Sequence, residues 1–270
     1  ALNKIYENHA EYVCVNTDVG ELDITDVDAV NQFVSEIRPY AIINCAAHTN
    51  VNGCETDIDN AYRINAVGPR NLAIAAERCH AKLMHISTDY VFDGQAAEPY
   101  TEFCVPNPKA VYGKTKLAGE NFVKEFSREH FIIRTAWLYG DGKNFVRTML
   151  GLSENHDKVT VVGDQFGSPT SADELAKAIA YLLSTDNFGL FHGTCEGMTN
   201  WADFTREIYR LAGKSTVVET VTTEQYDKNT TGIVAPRPAY SVLENYMLRL
   251  TTDYMFADWE KAIAEYIKSL

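Results

Sequence analysis

The chain has 270 residues, of which 46% are hydrophobic, and 24 Lys and Arg against 37 Asp and Glu leave a net charge of −13. This composition is typical of a globular protein with a sizeable core and excludes a mainly disordered chain. The acidic balance disfavours nucleic-acid binding, which needs a basic surface, and no apolar run is long enough to span a membrane.

Short apolar runs and helical patterns alternate through the first half of the chain. Four apolar runs predict strands buried on both faces: Tyr12–Val15, Ala41–Cys45, Leu83–Ser87 and Phe131–Arg134. Apolar spacing predicts three helices. The first begins after Asp26, the second runs over residues 57–80 with a bend at Gly68-Pro69, and the third runs over Tyr112–Arg128. This alternation predicts an α/β fold, a Rossmann-type doubly wound parallel sheet.

Beyond about residue 150 the alternation loosens, and the pattern predicts a smaller C-terminal lobe. We expect a sheet domain over residues 1–150 and a second lobe over residues 151–270, with a soft boundary and segments that can interleave. The predicted elements of the lobe are strands at Val159–Val162 and Leu190–Cys195 and helices at Ser171–Ser184, Trp201–Ala212 and Phe256–Leu270. Ser171 and Glu174 have the spacing of a capping box.

Ligands bind such a sheet outside the carboxyl ends of its strands, so the residues that follow the apolar runs are the first candidates for a site. Ala46, Ala47 and Thr49 follow one run and would let a flat ligand approach the backbone. Thr88 and Asp89 follow the next and offer a hydroxyl and a carboxylate. A tight turn explains the small residues after the first run as well as ligand binding does. A polar turn explains Thr88 and Asp89 somewhat better than ligand binding does.

Tyr112 and Lys116 stand four residues apart at the start of a predicted helix and therefore share one face. An ammonium beside a phenol favours the phenolate, and lowering the phenol pKa from ~10 to ~7 requires roughly 4 kcal/mol. A Tyr-x-x-x-Lys pair is common by chance and also fits a solvated helix face. Its position one loop after Thr88, in the same α/β unit, makes it a candidate for acid–base chemistry.

Two later residues, Trp137 and Arg237, are candidates for ligand binding, and each also has a purely structural explanation. Trp137 follows a predicted strand and could stack on a sugar or base, or belong to the core. Arg237 lies in a loop rich in turn residues and is a candidate phosphate ligand or a surface ion-pair partner.

Nine segments, in the same order, make the chain similar to the extended short-chain dehydrogenase/reductase family, and within it to the dTDP-4-dehydrorhamnose reductases. The most specific are STDYVFDG (87–94), YGKTKLAGE (112–120), DQFGSPT (164–170) and RPAYSVLEN (237–245). The resemblance implies reduction of the C4 keto group of dTDP-4-dehydro-6-deoxy-L-mannose to dTDP-L-rhamnose with NADPH or NADH, for cell-surface polysaccharide. It implies a dTDP-linked sugar as partner, no nucleic acid or membrane partner, and a monomer or homodimer.

The resemblance also implies roles for single residues. Tyr112 would protonate the 4-oxygen, Lys116 would lower the pKa of Tyr112 and hold the nicotinamide ribose, and Thr88 would bond the same oxygen. The other implied cofactor-binding residues are Asp23, Ile24, Ala46, Ala47, Thr49 and Asn65. The other implied substrate-binding residues are Asp89, Trp137, Asn144 and Arg237. Residues 1–150 would then bind the dinucleotide and residues 151–270 the substrate.

The chain departs from the family pattern at its start, where the Gly-rich loop that cradles the pyrophosphate is missing. We expect that the chain lacks the first strand and this turn; the alternative is a protein that binds dinucleotide poorly. Asn52 and Gly53 stand where the family usually has an acidic and a basic residue. Some members bind magnesium through glutamates, but only Glu174 matches one, so no metal is predicted.

The sequence leaves the cofactor preference and the reaction open. Asp18 weakly favours NAD over NADP. The rivals of the reductase are a non-catalytic regulatory subunit of the methionine adenosyltransferase type and a reductase or epimerase of another nucleotide sugar. The six cysteines have no C-x-x-C spacing, and with no recognisable export signal they favour the cytoplasm.

Overall fold

The computed structural model describes residues 1–7, 9–228 and 231–270. The strands among these residues are β1 Ala41–Asn44, β2 Lys82–Thr88, β3 His130–Thr135, β4 Leu138–Tyr139, β5 Lys158–Val162, β6 Phe166–Gly167, β7 Thr170–Ser171, β8 Gly189–His192, β9 Thr199–Asn200 and β10 Val217–Val221. The helices are α1 Leu2–Tyr6, α2 Val27–Ile37, α3 Val51–Thr56, α4 Ile58–Tyr62, α5 Gly68–Cys79, α6 Val111–Phe126, α7 Phe145–Ser153, α8 Ala172–Leu183, α9 Trp201–Leu211, α10 Thr223–Lys228, α11 Tyr246–Thr251 and α12 Trp259–Ser269.

The main sheet has the order β1-β2-β3-β8, and every neighbouring pair in it is parallel. Its register places Asn44 opposite His85 and Thr88 opposite Thr135, so the carboxyl ends of the strands meet at one edge. The predicted α/β fold with a parallel sheet is confirmed. The strands β1, β2 and β3 lie within one residue of their predicted positions, because unbroken apolar runs are what a sheet covered on both faces requires.

Apolar residues alternate along the strands and form one core on each face of the sheet. Leu83 and Ile132 face α2, α5 and α6, where they join Val30 and Val34. Met84 on β2 and Phe131 and Ile133 on β3 face the other core, which α8, α9 and α12 cover. Each fully buried aliphatic side chain of this kind contributes about 1.5–3 kcal/mol, so the two cores hold the sheet rigid beneath its carboxyl edge.

The predicted helix over residues 57–80 is present, but a π-helical turn at Arg63–Val67 interrupts it. The interruption precedes the predicted bend because Pro69 has no N–H to donate to the carbonyl one turn earlier. That carbonyl belongs to Asn65, and it lies against Gly119 of α6, where a Cβ atom would come within 2.2 Å of it. The irregular turn therefore brings α6 close to this helix.

No strand forms over Tyr12–Val15, so the prediction of one there is wrong. Val13 is 90% exposed and Val15 is 56% exposed, and β1 pairs only with β2 among the described residues. A strand is stable only beside a neighbour that accepts its backbone hydrogen bonds, and an apolar run alone does not supply one.

Of the two hydrogen bonds in the predicted capping box of α8, only the one accepted by Ser171 forms, so the prediction is wrong for Glu174. Ser171 caps the helix by accepting from the Asp173 N–H at 3.2 Å. Glu174 does not reach back to Ser171; its carboxylate pairs with Lys177 at 2.5 Å and accepts from the Ala257 N–H at 3.1 Å. A tertiary contact with the segment before α12 has replaced the local one.

The fourth strand of the main sheet, β8, comes from beyond the predicted boundary at residue 150 and pairs with β3. Segments before and after it form small two-stranded sheets, β5 with β10, β4 with β7 and β6 with β9. The division of the chain into two domains stays a prediction. Within the described part of the chain, no helix has the length and apolarity that a membrane crossing requires.

Candidate active site

Helix α6 is held at the carboxyl edge of the sheet by one polar and one steric feature. The carboxylate of Glu55 accepts a hydrogen bond from the Val111 N–H at 2.8 Å and so caps the first turn. Gly113 lies against the backbone of the segment after β2, where a Cβ atom would come within 2.0 Å of the Tyr90 carbonyl oxygen. Only glycine permits this approach, which places the first turn of α6 beside the end of β2.

The structure brings together the three residues predicted to be catalytic. Thr88 ends β2, and Tyr112 and Lys116 lie on consecutive turns of α6. The Thr88 hydroxyl lies close enough to the Tyr112 hydroxyl to influence its pKa. Lys116 is 2% exposed, and its ammonium donates to the Ile86 carbonyl at 2.6 Å.

The electrostatics of this group differ in one respect from the prediction. Burial raises the pKa of Tyr112 above its ordinary value, while the nearby Thr88 hydroxyl acts in the opposite direction. The sequence predicted a lowering by Lys116. Burial also lowers the pKa of Lys116 to about 8, against the attraction of the Glu120 carboxylate. A phenol with a raised pKa keeps its proton at neutral pH, which is the form that a proton donor needs.

Asp89 is buried beside this group and has a free acceptor. Its Oδ1 accepts from the Thr88 hydroxyl at 3.0 Å, and its Oδ2 has no partner among the described residues. Burial raises the pKa of Asp89 to about 6, and the hydrogen bond from Thr88 opposes that rise. A buried, unpartnered carboxylate oxygen is costly, so it fits a position where a ligand hydroxyl donates.

We expect Asp89 to make the protein less stable as the pH rises. The folded state favours the protonated carboxyl, because the pKa is about 6 against an ordinary 3.8. The contribution is fully present below about pH 4 and is lost as the pH rises through about 6, a total of up to about 3 kcal/mol. Asp89→Asn should remove this slope, measured by urea unfolding of both proteins between about pH 4 and pH 7.5. An unchanged slope in the variant would assign it to another group.

A second pair of side chains extends the site towards the C-terminal half. The guanidinium of Arg237 is exposed and donates to the Tyr90 hydroxyl at 3.2 Å. The Tyr90 ring meets the Tyr112 ring edge-on, with centroids 5.4 Å apart. Arg237 is thus connected to the predicted catalytic group through Tyr90, a residue that the sequence analysis did not single out.

Trp137 has a partner that the sequence analysis missed. Its ring stacks on Trp201, with centroids 3.5 Å apart and an interplanar angle of 7°. Its backbone lies in the left-handed region at φ 49°, and Gly167 lies against its ring edge. A non-glycine residue in this region is strained, which is typical of side chains held for function. A substrate-binding role for Trp137 stays a prediction.

The segment after β1 carries three predicted cofactor-binding residues. The Ala46 N–H donates to the Asn44 side chain at 3.1 Å, which turns the chain away from the sheet. Ala46 and Thr49 are exposed and Ala47 is half-buried. The carboxyl edge of β1 is therefore lined by small side chains.

Asn65 braces the same segment rather than presenting a free side chain. Its Oδ1 accepts from the His48 N–H at 2.8 Å, and its Nδ2 donates to the His48 carbonyl and to the Thr115 hydroxyl, both at 3.1 Å. It is completely buried. All its polar atoms are thus used to fix the loop after β1 against α6.

Asp23 and Ile24 lie in the loop before α2. The exposed carboxylate of Asp23 accepts from the Thr25 N–H at 2.8 Å. The Ile24 carbonyl accepts from the Asn71 side chain at 3.0 Å, and its side chain packs on Gly68. Their predicted role in cofactor binding stays a prediction.

The structure places Asn144 differently from the other predicted substrate-binding residues. Its Oδ1 caps α7 by accepting from the Arg147 N–H at 3.1 Å. Its Nδ2 donates to the Gly140 carbonyl at 2.6 Å and lies 3.3 Å from the Tyr266 hydroxyl. The side chain serves the helix start, and its contact with a substrate stays a prediction.

A buried polar network beneath α6 was not predicted at all. Glu120 accepts from the Ser87 hydroxyl at 2.6 Å and from two nitrogens of Arg134 at 2.8 and 2.7 Å. The signal that could have found it is the spacing of Tyr112, Lys116 and Glu120, which recur every fourth residue on one helix face. No group of three or more metal-ligating side chains occurs among the residues that the structure describes.

Three comparisons place these observations among known proteins. The family model described as RmlD substrate binding domain matches residues 1–270. A crystal structure of a dTDP-4-dehydrorhamnose reductase from Clostridium acetobutylicum is 50% identical, with a TM-score of 0.95, and covers 99% of this chain and 94% of that one. The Bacillus anthracis dTDP-4-dehydrorhamnose reductase in complex with NADP is 41% identical, with a TM-score of 0.94, and covers 100% and 95%. A dTDP-4-keto-6-deoxy-D-glucose reductase from Streptomyces niveus is 43% identical over 72% of this chain and 68% of that protein.

Proposed function

The chain belongs to the RmlD substrate binding domain family, and on that premise we propose that it is an NAD(P)H-dependent reductase of the 4-keto group of a dTDP-linked sugar. The observation that carries the proposal is the meeting of Thr88, Tyr112 and Lys116 at the carboxyl edge of the parallel sheet. A protonated phenol, a hydroxyl and a buried ammonium are the groups that carbonyl reduction needs.

The specific reaction that we propose is the conversion of dTDP-4-dehydro-6-deoxy-L-mannose to dTDP-L-rhamnose. The Clostridium and Bacillus relatives, named as dTDP-4-dehydrorhamnose reductases, support this choice. The Streptomyces niveus relative, named as a reductase of dTDP-4-keto-6-deoxy-D-glucose, supports the rival substrate. The product serves cell-surface polysaccharide in this proposal, and the six free thiols support a cytoplasmic location.

The proposed cofactor is NADPH or NADH, and the Bacillus relative bound to NADP supports it. The residues present fit its nicotinamide end. The loop after β1 offers small side chains at Ala46 and Ala47, and the buried Lys116 supplies a cation at the same edge. Asp23, Ile24 and Thr49 would lie further along the dinucleotide. When bound, the reduced nicotinamide supplies the hydride.

In the proposed mechanism, the protein positions the sugar and delivers one proton. Thr88 and Tyr112 hold the 4-oxygen, and as C4 gains the hydride this oxygen takes the proton of the Tyr112 hydroxyl. The phenolate left behind is stabilised by the Lys116 ammonium. The free oxygen of Asp89 accepts from a sugar hydroxyl, and Arg237 contacts the nucleotide diphosphate.

The test is an assay of cofactor oxidation by the absorbance of reduced nicotinamide, with protein from the full open reading frame. Each of the two 4-keto sugars is combined with NADPH and with NADH. We expect turnover with dTDP-4-dehydro-6-deoxy-L-mannose at a higher kcat/KM than with its rival. Faster reduction of dTDP-4-keto-6-deoxy-D-glucose would change the substrate. No turnover with either, together with binding of a partner protein, would favour the regulatory subunit.

A further inference from the structure

One face of α6 carries a charged residue that the proposed mechanism does not use. Tyr112, Lys116 and Glu120 follow one another at four-residue intervals, and Glu120 is completely buried. Its carboxylate accepts from Arg134 through two hydrogen bonds and from the Ser87 hydroxyl at 2.6 Å. The network thus joins α6 to β2 and β3 directly below the site.

The Arg134–Glu120 pair is shielded from solvent on both sides. Arg134 is 1% exposed, and its guanidinium lies 5.2 Å from the centre of the Phe92 ring. A buried ion pair of this kind is a weak source of stability, because the cost of desolvating both charges offsets their attraction. Apolar residues would fill the same space at least as well. The pair therefore needs an explanation other than stability.

The position of the pair relative to the site supplies that explanation. Lys116 is buried and donates to the Ile86 carbonyl, so its bonded partner carries no charge. The Glu120 carboxylate is the main charge that favours its ammonium form. Ser87 directly precedes Thr88 on β2, so the hydrogen bond from Ser87 to Glu120 also fixes the strand end that carries Thr88.

We propose that Glu120 is a positioning residue that, held by Arg134 and Ser87, keeps Lys116 charged and fixes the end of β2. This inference rests on the proposed function, in which Lys116 and Thr88 serve the reduction. Glu120 itself acts only through these neighbours.

The other titratable groups that face Lys116 do not replace Glu120. Burial, with the nearby Lys116 charge, lowers the pKa of His85 on β2 well below its ordinary value, so His85 is neutral. Desolvation raises the pKa of Cys45 after β1, so its thiol is neutral as well. Beyond Glu120, Lys124 lies 3.7 Å from the carboxylate and is partly exposed. Removal of the Glu120 charge would therefore leave Lys116 without its main attracting charge.

The experiment compares the pH dependence of kcat for the holoenzyme, Glu120→Gln and Glu77→Gln. The matched control, Glu77, also pairs with an arginine, Arg128, but at the surface. We expect the alkaline limb of the Glu120→Gln profile to move to lower pH by about one unit, since Lys116 loses its proton more easily. The Glu77→Gln profile should coincide with that of the wild type. Coincidence of all three profiles would overturn the proposal.

A second measurement does not depend on turnover. The ammonium of Lys116 is titrated by NMR in protein labelled at the lysine side chains, with Lys116→Met to assign its signal. The midpoint should fall by about one pH unit in Glu120→Gln and recover in Glu120→Asp, which restores the charge. An unchanged midpoint would overturn the inference even if the protein reduces no sugar. A lowered midpoint without turnover would support the inference and count against the proposed function.

Discussion

Tyr112→Phe should lower kcat by a factor of about 100 to 10,000 while changing KM little. The hydroxyl of Tyr112 is the proposed proton donor, and burial keeps it protonated at neutral pH. Phenylalanine fills the same space but has no proton to give, so the loss falls on the transition state. The measurement is steady-state kinetics with the dTDP-4-keto sugar that the assay identifies.

The control for this variant is Tyr209→Phe, which also removes one phenol hydroxyl from the interior. The Tyr209 hydroxyl donates to the Met149 carbonyl at 3.0 Å, among residues of the core that α7 and α9 share. We expect its kcat to stay within a factor of two of the wild-type value, with a modest loss of stability. Near-normal kcat in Tyr112→Phe would assign the proton to another group.

Arg134→Met should lower the free energy of unfolding by about 3–5 kcal/mol. The substitution leaves the Glu120 carboxylate buried with the Ser87 hydroxyl and with Lys124, which lies 3.7 Å away. A buried carboxylate that has lost both hydrogen bonds from Arg134 costs far more than the pair contributes when it is intact. Urea unfolding monitored by circular dichroism measures the difference.

The double variant Glu120→Leu with Arg134→Met tests the reason for that loss. Since it removes both charges, it should recover most of the lost stability. At the surface, Arg128→Met breaks the ion pair with Glu77 and should change stability by about 1 kcal/mol or less. A double variant as unstable as Arg134→Met alone would show that packing, and not charge, accounts for the effect.

The sequence predicted the features that depend on local patterns. Unbroken apolar runs located β1, β2 and β3, and the Tyr-x-x-x-Lys spacing located the face of α6 that meets Thr88. The run Tyr12–Val15 has the same local pattern but no neighbouring strand in the structure, and apolar character alone cannot supply one. Local spacing therefore fixes where an element begins more reliably than whether it finds a partner.

The network below the site shows what local patterns could not predict. Glu120 and Arg134 lie on α6 and β3, fourteen residues apart, and only the packing of the helix on the sheet makes them partners. The same holds for Trp137 and Trp201, which the small sheets after β3 bring face to face. Local patterns also did not predict that Asn144 caps α7 by accepting from the Arg147 N–H.

The stacked indoles of Trp137 and Trp201 also provide a spectroscopic signal for this part of the molecule. Two indoles stacked at 3.5 Å are close enough to couple electronically, so the circular dichroism that they contribute should change when the stack opens. The third tryptophan, Trp259, meets Phe204 edge-on and adds only an uncoupled background. A ligand that separates the two indoles would change this contribution, and its titration would report occupancy without label or turnover.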